Sequence, residues 1–139
     1  MSHPPAPRTV EELTITSNDE VVTVRQKVRA TAIELGFSLV DQTKVVTAAS
    51  ELARNTLVHA GGGQANITIV QNGARRGIRL VFSDNGPGIP DRQLALTDGW
   101  SSGGGLGLGL SGSRRLMDEF VLESEPGRGT VVTVTKWTR

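Results

Sequence analysis

Apolar residues recur at helical spacing in two stretches of the first half of the chain, and each stretch predicts an amphipathic helix. The first helix follows Ser17 and Glu20, which stand in a capping-box pattern, and is expected to stop at Gly36. Its apolar stripe consists of Val21, Val24, Val28, Ala32 and Leu35. The second helix is predicted from Asp41 to about residue 60, with an apolar stripe that includes Val45, Ala48, Ala49 and Leu52.

Alternation of apolar and polar residues predicts strands in other parts of the chain. The predicted strands cover residues 13–16, 65–70, 78–82, 120–123 and 130–136. Asn72-Gly73 and Gly77 mark a turn between the second and third of them, so those two strands form a hairpin. A third long helix is expected from about residue 108 to 120, before a second hairpin.

The order of elements is therefore strand, two helices, hairpin, loop, helix and hairpin. Segregated hairpins favour the α+β class, here a two-layer sandwich with a mostly antiparallel sheet and helices on one face. A length of 139 residues allows one such domain. We expect it to occupy residues 13–139, after a disordered leader of residues 1–12.

Composition narrows the possible partners and chemistry. The net charge is +1 with acids and bases mixed, which gives no indication of a nucleic-acid or membrane partner. The absence of cysteine excludes disulfides, thiolate metal sites and cysteine nucleophiles, and it fits a cytoplasmic location. The two histidines, His3 and His59, are too far apart along the chain to favour a zinc site.

Six of the ten residues from Gly103 to Gly112 are glycine. Glycine-dense backbone before a helix can close its amide N–H groups on an anion, so the tract predicts a phosphate-binding loop that orders over a ligand. The alternative is a flexible surface loop. The tract also matches the dinucleotide fingerprint, but Trp100–Gly103 is no strand, and that fingerprint requires one immediately before it.

Three polar residues are candidates for chemistry. Glu51 and Asn55 share one helix face, where a carboxylate and an amide oxygen could hold a hard cation and orient a nucleophile. The alternative for this pair is a solvated polar stripe. Asp84 ends a strand before Gly-Pro-Gly and could accept hydrogen bonds from a ligand, or it could simply form an Asx turn.

Taken together, these segments resemble the GHKL superfamily of ATPases and kinases. Glu51-Leu-Ala-Arg-Asn55 resembles its N-box, and the run from Asp84 to Ile89 resembles its G1 box. The run from Gly105 to Gly109 resembles its G2 box, and Gly129-Thr130 its last motif. Four motifs in this order imply a two-layer α/β sandwich of the GHKL (Bergerat) ATP-binding type.

Further segments resemble the RsbT-type switch serine/threonine kinases within this superfamily. These segments are residues 97–110, residues 115–120 and the ending Lys136-Trp137. The resemblance covers roughly residues 13–139 and implies phosphorylation of a STAS-domain protein of a stressosome-like complex. It also implies that the released kinase binds and activates a PP2C-type phosphatase. The same superfamily includes anti-sigma factors that sequester a sigma subunit, which remain the alternative.

The resemblance implies a role for each matched residue. Glu51 would be the catalytic base, or would position the substrate hydroxyl, and Asn55 would ligate Mg²⁺ that bridges the ATP phosphates. Asp84 would take the adenine amino group with support from Thr130. The other implied ATP-binding residues are Gly86, Gly88, Ile89, Gly105, Leu106, Gly107, Leu108 and Gly109.

The chain departs from the pattern at Val58, where many histidine kinases carry a basic residue. Phosphate charge would then be met by Mg²⁺, by backbone amides or by an arginine such as Arg54.

Overall fold

The computed structural model describes residues 8–86, 109–125 and 127–139. Its strands and helices follow one another in the predicted order. They are β1 (Arg8–Ile15), α1 (Asn18–Glu34), α2 (Leu39–Ala60), β2 (Gly63–Asn72), β3 (Arg75–Asp84), α3 (Gly109–Leu116), β4 (Glu119–Glu125) and β5 (Gly129–Trp137).

The strands form one five-stranded sheet in the order β1-β2-β3-β5-β4, and each neighbouring pair is antiparallel. Alternate residues of the strands turn one face toward the helices, where Ala65, Ile67, Leu80, Phe82 and Val134 are buried. Helix α2 lies at the centre of the helical layer, between α1 and α3, and also contacts the sheet. The predicted α+β sandwich is therefore confirmed.

Strand β1 corrects the expected start of the folded domain. The leader was expected to extend to residue 12, but residues 8–12 belong to β1 and pair with β2. Two ion pairs join this strand to α1, from Arg8 to Glu34 and from Lys27 to Glu11. Residues 8–12 thus form a strand because their backbone pairs with β2. Their sequence does not show the apolar alternation of a strand, because several of their side chains are charged.

The predicted capping box at the start of α1 forms only in part. Ser17 is the N-cap residue, but its side chain accepts no hydrogen bond from the helix. The Glu20 carboxylate instead accepts hydrogen bonds from the hydroxyl and the backbone N–H of Thr16, and from the Ser17 hydroxyl. These bonds, led by that of the Thr16 hydroxyl, hold the pKa of Glu20 below its usual value of 4.5.

Helix α2 begins two residues before the predicted position because Ser38 caps it. The Ser38 hydroxyl oxygen accepts a hydrogen bond from the Asp41 N–H at 3.1 Å. The helix ends at Ala60, as predicted, where Gly61 adopts a left-handed conformation with φ of 76°.

Two other predicted boundaries are wrong. Gly77 lies inside β3 rather than in the turn. The position requires glycine because the Trp137 ring occupies the space of a side chain: a Cβ there would lie 2.7 Å from that ring. Helix α3 ends at Leu116 rather than at residue 120. Phe120 belongs to β4, and the Asp118 N–H already donates to the Thr135 carbonyl of β5.

Lys136 holds the ends of three elements together. Its side chain is only 3% exposed, and its Nζ donates to the Leu116 carbonyl at the end of α3 at 2.9 Å. The same ammonium lies 3.9 Å from Asp41 at the start of α2 and 3.8 Å from Asp118. A buried cation between two carboxylates and a helix C-terminus is favourably placed. The end of α3 and the start of α2 therefore lie together.

Replacing Lys136 with methionine is expected to lower the free energy of unfolding by about 1–3 kcal/mol. The change leaves the Leu116 carbonyl without its hydrogen bond and removes the buried cation beside Asp41 and Asp118, which then keep only their ion pairs with the exposed Arg139. Urea denaturation measures the loss. Lys44→Met is the matched control, because Lys44 is exposed on α2 and forms no ion pair with the part of the chain that is described. Equal stability of the two variants would contradict the structural role of Lys136.

Candidate active site

Polar residues extend the core face of the sheet at one end of strands β3, β4 and β5. Asp84, Thr130 and Ser124 each lie two residues beyond a core-facing residue of the same strand, namely Phe82, Val132 and Leu122. The register pairs Asp84 with Thr130 and Thr130 with Ser124. Directly paired residues project from the same face, so the three side chains form a row on the helix side of the sheet.

Asp84 is surrounded by close backbone contacts. A Cβ on Gly129, whose φ is 89°, would lie 2.1 Å from the Asp84 carbonyl oxygen, so only glycine fits there. The Gly86 N–H donates to Oδ1 of Asp84 at 2.9 Å. This is the only side-chain hydrogen bond of Asp84 within the described ranges. The backbone thus fixes the carboxylate and leaves its second oxygen available to a ligand.

Ser124 orients Thr130. The Ser124 hydroxyl donates to the Gly129 carbonyl at 3.1 Å, and its oxygen lies 3.0 Å from Oγ1 of Thr130. With the Ser124 proton directed to Gly129, Thr130 donates to Ser124, and the Thr130 oxygen is left as an acceptor beside Asp84. Sequence reasoning missed Ser124. The cross-strand register of the second hairpin, which sets it opposite Thr130, is the signal that could have found it.

A polar face of α2 lies next to this row. Glu51 and Asn55 are half-buried, one turn apart, beside the buried residues Leu52 and Thr56. Thr56 connects the face to the row, because the backbone of Gly63 packs between Cγ2 of Thr56 and the Asp84 side chain. Within the described ranges, the side chains of Glu51 and Asn55 form no hydrogen bond or ion pair, so a ligand could use both.

Two further residues of α2 lie on its solvent side near this face. Arg54 is exposed and pairs with no acid of the described segments, which leaves its guanidinium free to turn toward an anion. Val58, where the sequence departs from the histidine-kinase pattern, is also exposed.

Helix α3 packs against α2, and its last residue lies near the start of α2. Its eight residues span about 12 Å from that point to its N-terminus. Free N–H groups at this start favour a negatively charged ligand. Of the predicted phosphate-binding residues, Gly109 is the first residue of α3. Gly88, Ile89, Gly105, Leu106, Gly107 and Leu108 lie outside the described residues.

The Asp84 row and the polar face of α2 together form a polar cleft, and the fold that carries it is that of an ATPase family. Residues 40–138 match the family described as histidine kinase-, DNA gyrase B-, and HSP90-like ATPase, and the chain is a member of it. Within the family, the chain is 48% identical over 120 residues to the serine/threonine-protein kinase RsbT of Bacillus subtilis (strain 168). That alignment covers 86% of this chain and 90% of the relative. The RsbT-type resemblance inferred from the motifs is thereby confirmed.

Other relatives are more distant. An anti-sigma F factor of Caldanaerobacter subterraneus subsp. tengcongensis is 31% identical over 117 residues, which cover 81% of this chain and 82% of that protein. The solved RsbU and RsbW domains of Rv1364c from Mycobacterium tuberculosis superpose with a TM-score of 0.61 at 22% identity. The superposition covers 94% of this chain and 33% of the Rv1364c chain. The mycobacterial sensor histidine kinase MprB gives 0.58 at 19% identity, covering 93% and 97% of the two chains. These structures support the fold.

Two segments that carry the RsbT-type resemblance, residues 115–120 and Lys136-Trp137, lie away from the cleft and contain contacts that stabilise the fold. Lys136 and Asp118 hold the end of α3 against β5, and the indole N–H of Trp137 donates to Glu119 at 2.6 Å. All four lie at the end of the sheet opposite Asp84. No helix in the described ranges is both long and apolar enough to cross a membrane.

Proposed function

We propose that the protein uses ATP to phosphorylate a serine or threonine of a STAS-domain protein, with the nucleotide bound between the Asp84 row and the polar face of α2. The observation that carries the proposal is the pair Glu51 and Asn55, which are two half-buried polar side chains on one face of α2, unpaired within the described residues, in an RsbT-type chain. Asp84 would mark the adenine end of the cleft, and the start of α3 would mark the phosphate end.

Asp84 and Thr130 would recognise adenine. The amino group of adenine is a donor, and both the second oxygen of Asp84 and the oriented oxygen of Thr130 are acceptors. Gly86 presents no side chain, and a Cβ there would lie 2.6 Å from that of Ala60. Ala60 thus occupies the space that a side chain at Gly86 would need, and this contact brings the end of α2 against the backbone beside Asp84.

The phosphates would extend toward the start of α3, where N–H groups and the predicted glycine tract can receive them. The described residues contain no cluster of three or more histidine, cysteine or acidic side chains. Asn55 suits a hard cation such as Mg²⁺ that is shared with phosphate oxygens. When bound, such a cation neutralises the charge that develops during phosphoryl transfer. Arg54 would add a second positive charge.

Glu51 would act on the substrate hydroxyl. As that oxygen attacks the γ-phosphorus, the bond to the bridging oxygen breaks and ADP departs with its electron pair. The hydroxyl proton passes to the Glu51 carboxylate, which lies one turn from Asn55 and so beside the phosphates that Asn55 would help to hold.

The regulatory setting follows from the same resemblance. The substrate would be a STAS-domain protein, and the released kinase would bind and activate the regulatory domain of a PP2C-type phosphatase in the cytoplasm. The similarity to RsbT and to anti-sigma F factors supports regulatory partners of this kind.

Mixing the protein with a STAS-domain partner, Mg²⁺ and ATP labelled at the γ-phosphate tests the proposal. We expect labelled phosphoserine or phosphothreonine on the partner. An absence of transfer to every STAS partner, in a protein that binds ATP normally, would refute the kinase assignment.

The anti-sigma function is the second candidate, because an anti-sigma F factor is 31% identical over most of the chain. Pull-down with purified sigma subunits, in parallel with STAS and phosphatase partners, separates the two functions. Capture of a sigma subunit without transfer to any STAS protein would favour the anti-sigma function.

A further inference from the structure

A groove of about 340 Å³ lies between α1 and α2 on the outer side of the helical layer. Residues of α1 line it at spacings of three and four, so they form one continuous face of that helix. Val22 and Ile33 stand at its two ends, Arg25 and Arg29 lie between them, and Val46 of α2 contributes to its wall.

Two large apolar side chains of α1 are exposed on this face. Val22 is 43% exposed and Ile33 is 56% exposed. They are eleven residues apart, so the apolar ends are separated by about 16 Å, or three helical turns. A groove between two packed helices with apolar anchors at this spacing fits a third helix of about three turns.

The positive charge of the groove has no counter-charge among the residues that the structure describes. Arg25 and Arg29 are one turn apart, and neither forms an ion pair with any of those residues. Two like charges at this spacing disfavour the helix. The other side of α1 differs, because there Lys27 pairs with Glu11 and Glu34 pairs with Arg8.

The groove is separate from the polar cleft. Val46 and Asn55 are nine residues apart on α2, which places them about 180° from each other around the helix axis. A molecule in the groove would thus contact the side of α2 that faces α1, and the Glu51–Asn55 face would stay open toward α3.

We propose that this groove docks an acidic amphipathic helix of a partner protein, with two carboxylates set against Arg25 and Arg29 and apolar residues against Val22 and Ile33. A second copy of this chain is a poorer occupant, since a two-fold contact through this face would bring the four arginines together. The inference does not depend on the proposed kinase function.

A designed peptide of about 18 residues tests the groove. It is a helix with glutamates at two positions one turn apart, flanked on the same face by leucines that match the anchor spacing. Fluorescence anisotropy of the labelled peptide with the full chain measures binding. We expect saturable binding that weakens with salt, and little binding of the same peptide with lysines in place of the glutamates.

The variant Arg25→Glu/Arg29→Glu is expected to weaken peptide binding about tenfold or more. The matched control, Lys44→Glu/Arg76→Glu, changes the net charge equally at exposed sites outside the groove and should bind as the wild type does. ATP binding and thermal melting show that both variants are folded. If that variant does not fold, Val22→Ser/Ile33→Ser replaces it and is expected to show the same loss of binding.

Three results would overturn the proposal. They are no binding of the acidic peptide to the wild-type chain, equal loss in the control, and equal binding of the lysine peptide. Self-association in analytical ultracentrifugation that disappears in Val22→Ser/Ile33→Ser would instead assign the groove to a second copy.

Discussion

Replacing Glu51 with alanine is expected to reduce phosphoryl transfer to a STAS-domain partner by about 100- to 10,000-fold, while ATP binding changes little. The magnitude is that of removing a general base or a positioning carboxylate. Binding is expected to persist because the other contacts proposed for ATP do not involve this side chain. Asp84 and Thr130 would hold the base, and Asn55 and the start of α3 would hold the phosphates.

Glu51→Gln separates two roles of this carboxylate. Glutamine keeps the length and polarity of the side chain but cannot take a proton at neutral pH. If Glu51 is the base, both variants lose transfer to a similar extent. If Glu51 only positions the hydroxyl, glutamine should retain much more activity than alanine. Initial rates of labelled phosphate transfer, with calorimetric titration of ATP, give both quantities.

The control for Glu51 is Glu12→Ala, which removes an exposed carboxylate of β1, two strands from β3 and on the sheet face that points away from the helices. It should leave both transfer and binding unchanged. A loss of ATP affinity in Glu51→Ala as large as the loss of transfer would mean that Glu51 holds the nucleotide rather than the hydroxyl.

Replacing Asp84 with asparagine is expected to weaken ATP binding roughly 10- to 100-fold, which corresponds to about 1.5–3 kcal/mol. The Gly86 N–H occupies one carboxylate oxygen as an acceptor. In asparagine, the single oxygen can serve either Gly86 or the adenine amino group. If it serves Gly86, the amide NH₂ meets a second donor on the base. Asparagine therefore preserves the size of Asp84 and removes one acceptor.

Calorimetry with ATP and with GTP measures this effect. The oxygen at the corresponding position of guanine is an acceptor, so the preference of the wild-type chain for ATP over GTP should shrink in Asp84→Asn. Asp19→Asn, at an exposed site in the first turn of α1, is the matched control. Unchanged ATP affinity in Asp84→Asn would refute the proposed adenine contact, provided that melting temperatures show the variant to be folded.

Glu51→Ala and Asp84→Asn change opposite ends of the proposed cleft, and they are expected to affect different quantities. The change at Asp84 acts on affinity, and the change at Glu51 acts on rate. Asn55 lies between them on the same helix face as Glu51, so a change there should affect both quantities when Mg²⁺ is present.

Much of the fold was readable from short-range pattern. The two long helices, both hairpins and the order of elements follow from apolar spacing and turn residues. The errors lie where tertiary contacts override local signals. Residues 8–12 form a strand by pairing with β2, and Gly77 lies in β3 against the Trp137 ring. Helix α3 ends at Leu116, whose carbonyl accepts a hydrogen bond from Lys136.

The candidate site divides in the same way. Glu51 and Asn55 could be assigned to one face because four residues make about one helical turn, and Asp84 could be assigned to a strand end. Their proximity could not be derived, since it depends on the packing of α2 on the sheet, where Gly63 contacts Thr56 and Asp84, and Gly86 contacts Ala60. Ser124 was missed for the same reason, because its relation to Thr130 exists only across two strands.

The sequence by itself determined the elements, the α+β class, the four motifs and the family to which they belong. These depend on local spacing and on residue identity, which the chain carries directly. Only the tertiary structure decided that the Asp84 row adjoins the Glu51–Asn55 face, that the end of α3 lies at the start of α2, and that Arg25 and Arg29 line an open groove. These features depend on strand register and helix packing between distant residues, whose free energy is gained only when the whole sheet and its helical layer assemble.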